Sequence, residues 1–251
     1  MAKYHPGSGK PIGYSTAVAI VIASMIGTGV FTTLGLQAEE IHTGFALLCL
    51  WGLGGLIAMT GALSYGELAA ALPRSGGEYH YLGRIYHPVL GIAAGWISVT
   101  VGFAAPSALA AMALGQYAAM FAPVTPVHVA VASIVAIAAF HAFSVRLGKQ
   151  FHIMATAVKL ALIVFFCIAG LLADSPGGIS FSPSQHGWRE VVSPAFAFSL
   201  IYVTYAYSGW NAATYVSGEV RNPQRALPAA LIHGTLIVTG LYLLLNYVFL
   251  R

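Results

Sequence analysis

Long apolar runs parted by short polar stretches set the rhythm of the chain. No Asp, Glu, Lys or Arg stands in residues 13–36, and Glu39 and Glu40 close that run. Residues 42–66 are equally free of charge, with Glu67 closing them. The stretch 85–145 has no Asp, Glu, Lys or Arg at all and holds enough residues for two spans, with Pro123 and Pro126 at the turn between them. A further apolar run, 151–173, carries one charge, Lys159. Residues 174–190 are polar and rich in Gly, Pro and Ser, which predicts a loop. Two more runs follow, 191–218 and 228–250, the second opening on Pro228, a residue suited to a first helical turn. Runs of this length predict about seven membrane helices, near 13–36, 42–66, 79–105, 127–145, 151–173, 191–218 and 228–250.

Composition agrees with that pattern. Of 251 residues, 58% are hydrophobic and 7% charged, against about 25% charged in an ordinary soluble domain. So few charges cannot cover a water-soluble protein of this size, nor do they suit a disordered chain. The formal charge of +4 is then a topology signal rather than a sign of nucleic-acid affinity. With the N-terminus inside, the cytoplasmic loops hold Lys3, Lys10, Arg74, Arg84, Arg146, Lys149, Arg221 and Arg225, and the outer side only Arg189 and Arg251. The acids Glu39, Glu40, Asp174 and Glu190 fall outside. This asymmetry predicts a multi-pass protein of the cell membrane with a cytoplasmic N-terminus. The first apolar run is longer than a secretory h-region and continues as part of the domain. Cys49 and Cys167 lie in apolar runs and read as buried thiols with no partner. There is no HExxH, no G-x-S-x-G and no Walker loop, so neither an enzyme, a metal site nor a cofactor is expected. On the third span Gly91 and Gly95 form G-x-x-x-G, which predicts close packing inside the chain.

Two spans carry internal breaks. The first holds Met25-Ile26-Gly27-Thr28-Gly29-Val30-Phe31 about halfway along. An interior Gly costs roughly 1 kcal/mol against Ala, and G-T-G invites unwinding. Freed N–H and C=O groups are tolerated at membrane depth only where protein or a polar cavity covers them. The N–H groups opening the second half-helix would attract an anion such as a carboxylate. The sixth span holds Tyr205-Ala206-Tyr207-Ser208-Gly209-Trp210-Asn211, where exposed carbonyls suit an ammonium group and the aromatics would cover a ligand or attract its cation. Either segment alone is also explained by an intact helix in close contact with a neighbour. Two Gly-interrupted segments five helices apart point to a transporter site between inverted repeats. The competing class, a seven-helix receptor or retinal protein, conflicts with a cytoplasmic N-terminus, and residues 228–250 contain no lysine for a Schiff base.

The same residues resemble the amino acid–polyamine–organocation superfamily, nearest to L-type amino-acid transporters and bacterial permeases. Ile26-Gly27-Thr28-Gly29-Val30-Phe31 resembles its I-G-S/T-G-I-F. Pro73-Arg74-Ser75-Gly76-Gly77-Glu78-Tyr79, after Tyr65-Gly66-Glu67-Leu68, resembles the P-x-S-G-G-E/D-Y loop. Ala206-Tyr207-Ser208-Gly209-Trp210-Asn211, followed by Glu219-Val220-Arg221-Asn222-Pro223 and Leu227-Pro228, resembles A-Y-x-G-W-N…E-E-x-x-N-P-x-x-x-L-P.

The resemblance implies an all-α membrane protein, the first part of a 5+5 inverted-repeat fold with helices 1 and 6 unwound mid-span. Residues 1–173 would form the first repeat and 191–251 the first two helices of the second. It implies secondary-active transport of amino acids, neutral ones by the absence of a pocket acid or base. The backbone around Ile26, Gly27, Thr28 and Gly29, with the Thr28 hydroxyl, would take the substrate carboxylate. The carbonyls of Met25, Tyr205 and Ser208 would take its amino group, beside Gly209. Tyr205 matches the family's aromatic gate and Asn211 an amide that shapes the pocket. Lys159, about nine residues into the fifth helix, matches a family lysine at the place where sodium-coupled relatives bind a cation. It would hold the first-helix carbonyls and gate or proton-couple transport, and Lys159→Ala would abolish uptake.

Departures from the pattern are Ser217-Gly218-Glu219, one acid short, and Thr32-Thr33-Leu34-Gly35 where a proline often stands. The expected partners are a small-molecule amino acid and the lipid bilayer, with no nucleic acid. A disulfide-tethered subunit is not expected, because residues 120–127 contain no cysteine. About five further helices of the fold are missing. The chain then reads as a truncated product or fragment, or as one half that works with a companion chain or a homo-oligomer. A non-transporting membrane subunit is the alternative function.

Overall fold

The computed structural model describes residues 11–143, 145–173 and 179–251. Lys3, Lys10 and Asp174 lie outside the described residues, as do the side chains of Arg146 and Lys149. Eleven α-helices follow one another among the described residues: α1 (Tyr14–Met25), α2 (Gly29–Ala38), α3 (Gly44–Ala71), α4 (Gly77–Ile85), α5 (Pro88–Ile97), α6 (Ala105–Phe121), α7 (Pro126–Phe143), α8 (Val145–Leu172), α9 (Gln185–Val191), α10 (Pro194–Ala206) and α11 (Pro223–Leu250). A π-helical stretch, Ser98–Ala104, joins α5 to α6, and a 3-10 segment, Ala212–Glu219, follows α10.

Among the described residues, four helical stretches have the length and apolar character to cross a membrane: Gly44–Ala71, Pro88–Phe121, Ile153–Leu172 and Pro223–Leu250. The pair α1 and α2, bent by 40° at its break, makes a fifth, and Pro126–Ala142 and Pro194–Ala206 are shorter apolar helices. The protein is therefore an all-α, multi-pass membrane protein.

Several boundaries differ from those read in the sequence. The third span runs over Pro88–Phe121 rather than 79–105. His87 is extended (φ −156°, ψ 143°) because the following proline disfavours a helical conformation, and it separates a short α4 from the span. The seventh helix starts at Pro223, with Asn222 in the left-handed region (φ 52°), and Pro228 sits inside it. The predicted loop 174–190 ends in a helix, α9. Earlier starts also move Lys159: α8 begins at Val145, so Lys159 lies about 21 Å along the helix rather than nine residues in. Cys167 is buried and Cys49 half-buried; both are free thiols.

The chain divides into two compact units, one running through Gly77 and resuming at Leu160–Arg251, the other Glu78–Lys159. In the first, α3 packs along α11, and α1 and α10 pack on that pair. Small residues allow the close approach. A Cβ on Gly55 would meet Thr239, one on Gly66 would lie 3.1 Å from the Pro228 Cα, and one on Gly61 would meet the Trp210 ring. The buried face of α11 repeats at helical spacing: Leu227, Leu231, Gly234, Val238, Tyr242 and Leu245.

At one end of this unit, Glu190 of α9 caps α3. Its carboxylate accepts from the His42 and Thr43 backbone amides at 2.9 and 3.0 Å and from the Thr43 hydroxyl. At the other end, Ile12 pairs with Val220 through Ile12 N–H donating to Glu219 O (2.8 Å) and Arg221 N–H donating to Ile12 O (2.9 Å). Nearby, the Ser75 hydroxyl accepts from Gly218 N–H at 3.0 Å, and Gly77 (φ 51°) lies against the Tyr215 ring. This contact joins two of the stretches that carry the family resemblance.

In the second unit α6 and α7 form a tight hairpin across Ala122–Thr125, and Gly115 leaves no room for a Cβ against Pro126. Gly91 packs against Tyr79 O and the Gly83 Cα, and Gly95 against the Tyr79 ring. The G-x-x-x-G therefore serves packing within the chain.

Candidate functional site

Helix α1 stops at Met25, and Ile26 turns extended (φ −75°, ψ 99°). Helix α2 restarts at Gly29, with Thr28 as the residue before it. The Thr28 carbonyl accepts from Phe31 N–H (3.0 Å), Thr32 N–H (3.1 Å) and the Thr32 hydroxyl (3.1 Å), which anchors the new helix at its first turn. The first N–H groups of a helix have no intrahelical carbonyl to meet; with Phe31 and Thr32 already donating to Thr28 O, those of α2 are the Gly29 and Val30 amides, next to the break. Gly27 and Thr28 are exposed, while Met25, Ile26 and Gly29 are buried.

Helix α10 ends at Ala206, and residues 207–211 turn before the 3-10 segment. Gly209 has φ 98°, a conformation that favours glycine. Ser208 N–H donates to Tyr205 O (3.0 Å), Ala212 N–H to Gly209 O (3.1 Å), and the Thr214 hydroxyl to Asn211 O (2.7 Å).

The two interruptions touch each other. A Cβ on Gly209 would come within 2.6 Å of Ser24 O and 3.2 Å of Met25 N, and one on Gly29 within 3.0 Å of the Ala206 Cα. Tyr242 of α11 ties them together: its hydroxyl donates towards Met25 O at 2.8 Å and lies 3.3 Å from Ala206 O. The final carbonyl of each stopped helix thus faces one buried phenol.

The structure brings Met25, Gly29 and Gly209 together and sets Gly27, Thr28 and Ser208 exposed beside them. Asn211 is half-buried at the far end of the second break. Of the three aromatics there, Tyr205 alone remains exposed (42%). Tyr207 is buried, donating to Trp51 O at 3.0 Å, and Trp210 stacks edge-on with Tyr65 (5.0 Å) against Gly61 of α3. Those two therefore pack the bundle rather than cover a ligand. Lys159 is half-buried and ends the second unit.

Sequence reasoning missed Tyr242 and Trp51. Trp51 lies 5.9 Å from Tyr207 and 5.6 Å from Tyr242, ring to ring, and Tyr207 and Tyr242 lie 5.0 Å apart. The available signal was the position of Tyr242 on the apolar stripe of α11, where a hydroxyl at membrane depth needs a partner. Among the described residues no group of three His, Cys, Asp or Glu could hold a metal ion.

Comparison with known proteins bears on this geometry. The amino acid permease family model matches residues 12–250. The b(0,+)-type amino acid transporter 1 of Mus musculus is 31% identical over 94% of this chain and 50% of its own length. The large neutral amino acids transporter small subunit 2 of Homo sapiens is 27% identical over 94% of this chain and 46% of its own length. The serine/threonine exchanger SteT of Bacillus subtilis (strain 168) is 27% identical over 98% of this chain and 56% of its own length. The chain spans about half the length of these curated relatives, which are transporters by name rather than enzymes.

Proposed function

The chain belongs to the amino acid permease family, and from that premise we propose that it serves secondary-active transport of neutral amino acids across the cell membrane. The observation that carries this reading is the contact between the two interrupted helices. Leading N–H groups of α2 and terminal carbonyls of α1 and α10 meet at one place, offering donors to a carboxylate and acceptors to an ammonium group. A zwitterion needs both.

On this reading α1 with α2 is the first helix of a 5+5 inverted repeat and α10 with the 3-10 segment the sixth. Residues 1–173 belong to the first repeat and 191–251 to the second. Gly27, Thr28 and Gly29 hold the carboxylate. The carbonyls of Met25, Tyr205 and Ser208 receive the amino group, although the first two already accept from Tyr242 and from Ser208 N–H and so offer only a second lone pair. Tyr205 closes over the site, and Asn211 shapes its floor. Basic residues place the N-terminus in the cytoplasm, with Glu39, Glu40 and Glu190 at the outer face. An ammonium at membrane depth is a functional residue by default, which supports Lys159 as the coupling group.

Uptake of a radiolabelled amino-acid panel into proteoliposomes, with and without internal amino acid, tests the proposal. Accumulation stimulated by internal amino acid is the result expected of an exchanger, and stimulation by a proton gradient that of a symporter. Lys159→Ala should abolish either without loss of folded protein. No transport of any panel member would overturn the proposal.

A further inference from the structure

Away from the two breaks, a cavity with polar and apolar walls lies where the last turn of α2 meets the first turns of α10. Its volume is about 430 Å³, and Gln37, Glu39, Glu40, Phe198, Ser199 and Tyr202 line it. That is within the roughly 300–1,000 Å³ of small-molecule sites. Gln37 is 1% exposed. Its Oε1 accepts from the Trp51 indole N–H at 2.9 Å. Indole nitrogen only donates, so this bond fixes the amide orientation and makes the other atom, Nε2, the donor. That Nε2 is buried and has no hydrogen-bond partner. A buried donor left unpaired costs about 1–3 kcal/mol, a penalty that an acceptor brought by a ligand would remove.

The surroundings say what such a ligand carries. Glu39 and Glu40 are exposed acids at the C-terminal end of α2, where the helix dipole also favours a cation. Across the cavity stands the N-terminal end of α10, where the dipole favours an anion. Gln37 lines the cavity and carries the unpaired Nε2 donor that such an anion would satisfy. The cavity therefore wants a negative end beside Gln37 and a positive end beside Glu39 and Glu40.

We propose that this cavity is a second binding site, at the mouth of the protein, for an α-amino acid zwitterion, its carboxylate on Gln37 and its ammonium on Glu39 and Glu40. The inference rests on the transport reading for which face is outer and for the ligand class. A site there would hold substrate before it reaches the breaks. Trp51 links the two places, since the residue that holds Gln37 also accepts from Tyr207 through its carbonyl and stacks on Tyr242.

The test is nuclear magnetic resonance of the full chain, labelled with ¹⁵N-glutamine, in lipid nanodiscs. The Gln37 side-chain amide is assigned by its loss in Gln37→Leu. L-leucine should shift that resonance saturably. The exposed double variant E39Q/E40Q, which leaves the core untouched, should weaken the apparent affinity about tenfold or more. The analogues 4-methylpentanoate, without the ammonium, and 3-methylbutan-1-amine, without the carboxylate, should each bind about tenfold more weakly or worse. A resonance that does not move with L-leucine, or that moves equally in E39Q/E40Q or with either analogue, overturns the site. Uptake in proteoliposomes without a Gln37 shift removes this site and leaves transport standing. A Gln37 shift without uptake does the reverse.

Discussion

The two interrupted helices are built from similar residue types and reach opposite ends. At the first break the chain relies on small residues and leaves its backbone open: Gly27 and Thr28 are exposed, and nothing lies within 4 Å of a Cβ placed on Gly27. At the second the backbone is held on several sides. Gly209 is wedged at φ 98° against Ser24 and Met25, Tyr207 is buried against Trp51, and Trp210 is keyed into α3. One break presents backbone groups, and the other fixes the first in place. A pair of glycine-interrupted helices therefore need not be two equal halves of a site. On the transport reading, the open member recognises the ligand and the closed member keeps it from collapsing.

The largest expected effect comes from forcing a side chain into the closed break. In Gly209→Ala the new methyl meets Ser24 O at 2.6 Å in a conformation that alanine rarely adopts. Strain and overpacking together predict a loss of at least about 2 kcal/mol, read as a lower Tm and reduced monodisperse protein in detergent. A Tm equal to that of the parent would break the comparison, because the second break would then be as slack as the first. Tyr242→Phe is next. It removes the one hydroxyl that meets Met25 O and Ala206 O, leaving buried carbonyls short of a donor at about 1–2 kcal/mol. The loss should be smaller than in Gly209→Ala, since the ring still packs on Trp51 and Tyr207.

Much of this arrangement was legible in advance, and the reasons for the misses are physical. Spans closed by charges, as at Glu39-Glu40 and Glu67, fall close to where they were placed. The stretch 85–145 has no charge to mark an edge, so the apolar pattern alone predicts its first helix too early, although Tyr86-His87-Pro88 carries the signal that a residue before proline leaves the helix. Pro228 suits a first helical turn, so the sequence alone predicts a helix start there. In the fold it lies beside Gly66 of α3, and Asn222-Pro223 opens the helix instead. The glycines at both breaks were readable from their spacing alone. The roles of Tyr207 and Trp210 were not, because an aromatic facing a ligand and one filling a slot left by a glycine on α3 have the same local sequence. Tyr242 and Gln37 were hidden for a related reason: each acts through a partner distant in the chain.

Glu190 sharpens the comparison at the base of the second broken helix, because α9 packs on both α3 and α10. Burial raises its carboxyl pKa, but the Thr43 hydroxyl, the His42 and Thr43 amides and the charge of His186 together outweigh that and hold it below the ordinary 4.5. A carboxyl whose folded pKa is depressed adds stability above its unfolded pKa and loses it as pH falls through the folded value. Glu190→Gln should therefore cost about 1 kcal/mol at neutral pH. The gap between variant and parent should close as pH drops below about 4.5. A gap independent of pH would show that the cap works by shape and not by charge.

The smallest effect on stability, and the most telling one, belongs to Gly27→Ala. A methyl at this position meets no atom within 4 Å, and its φ is not in the left-handed region. Folding should be unchanged to within about 0.5 kcal/mol, as for a substitution away from any packed contact. Yet the methyl enters the space beside Thr28 that the transport reading assigns to a substrate carboxylate. If the open break is where ligand binds, uptake should fall about tenfold or more while Tm stays put. If uptake and Tm are both unchanged, the space beside the first break is not used by the ligand, and recognition must lie elsewhere on the two helices. If Tm falls with uptake, the first break is as tightly held as the second, and the contrast between an open and a closed interruption fails.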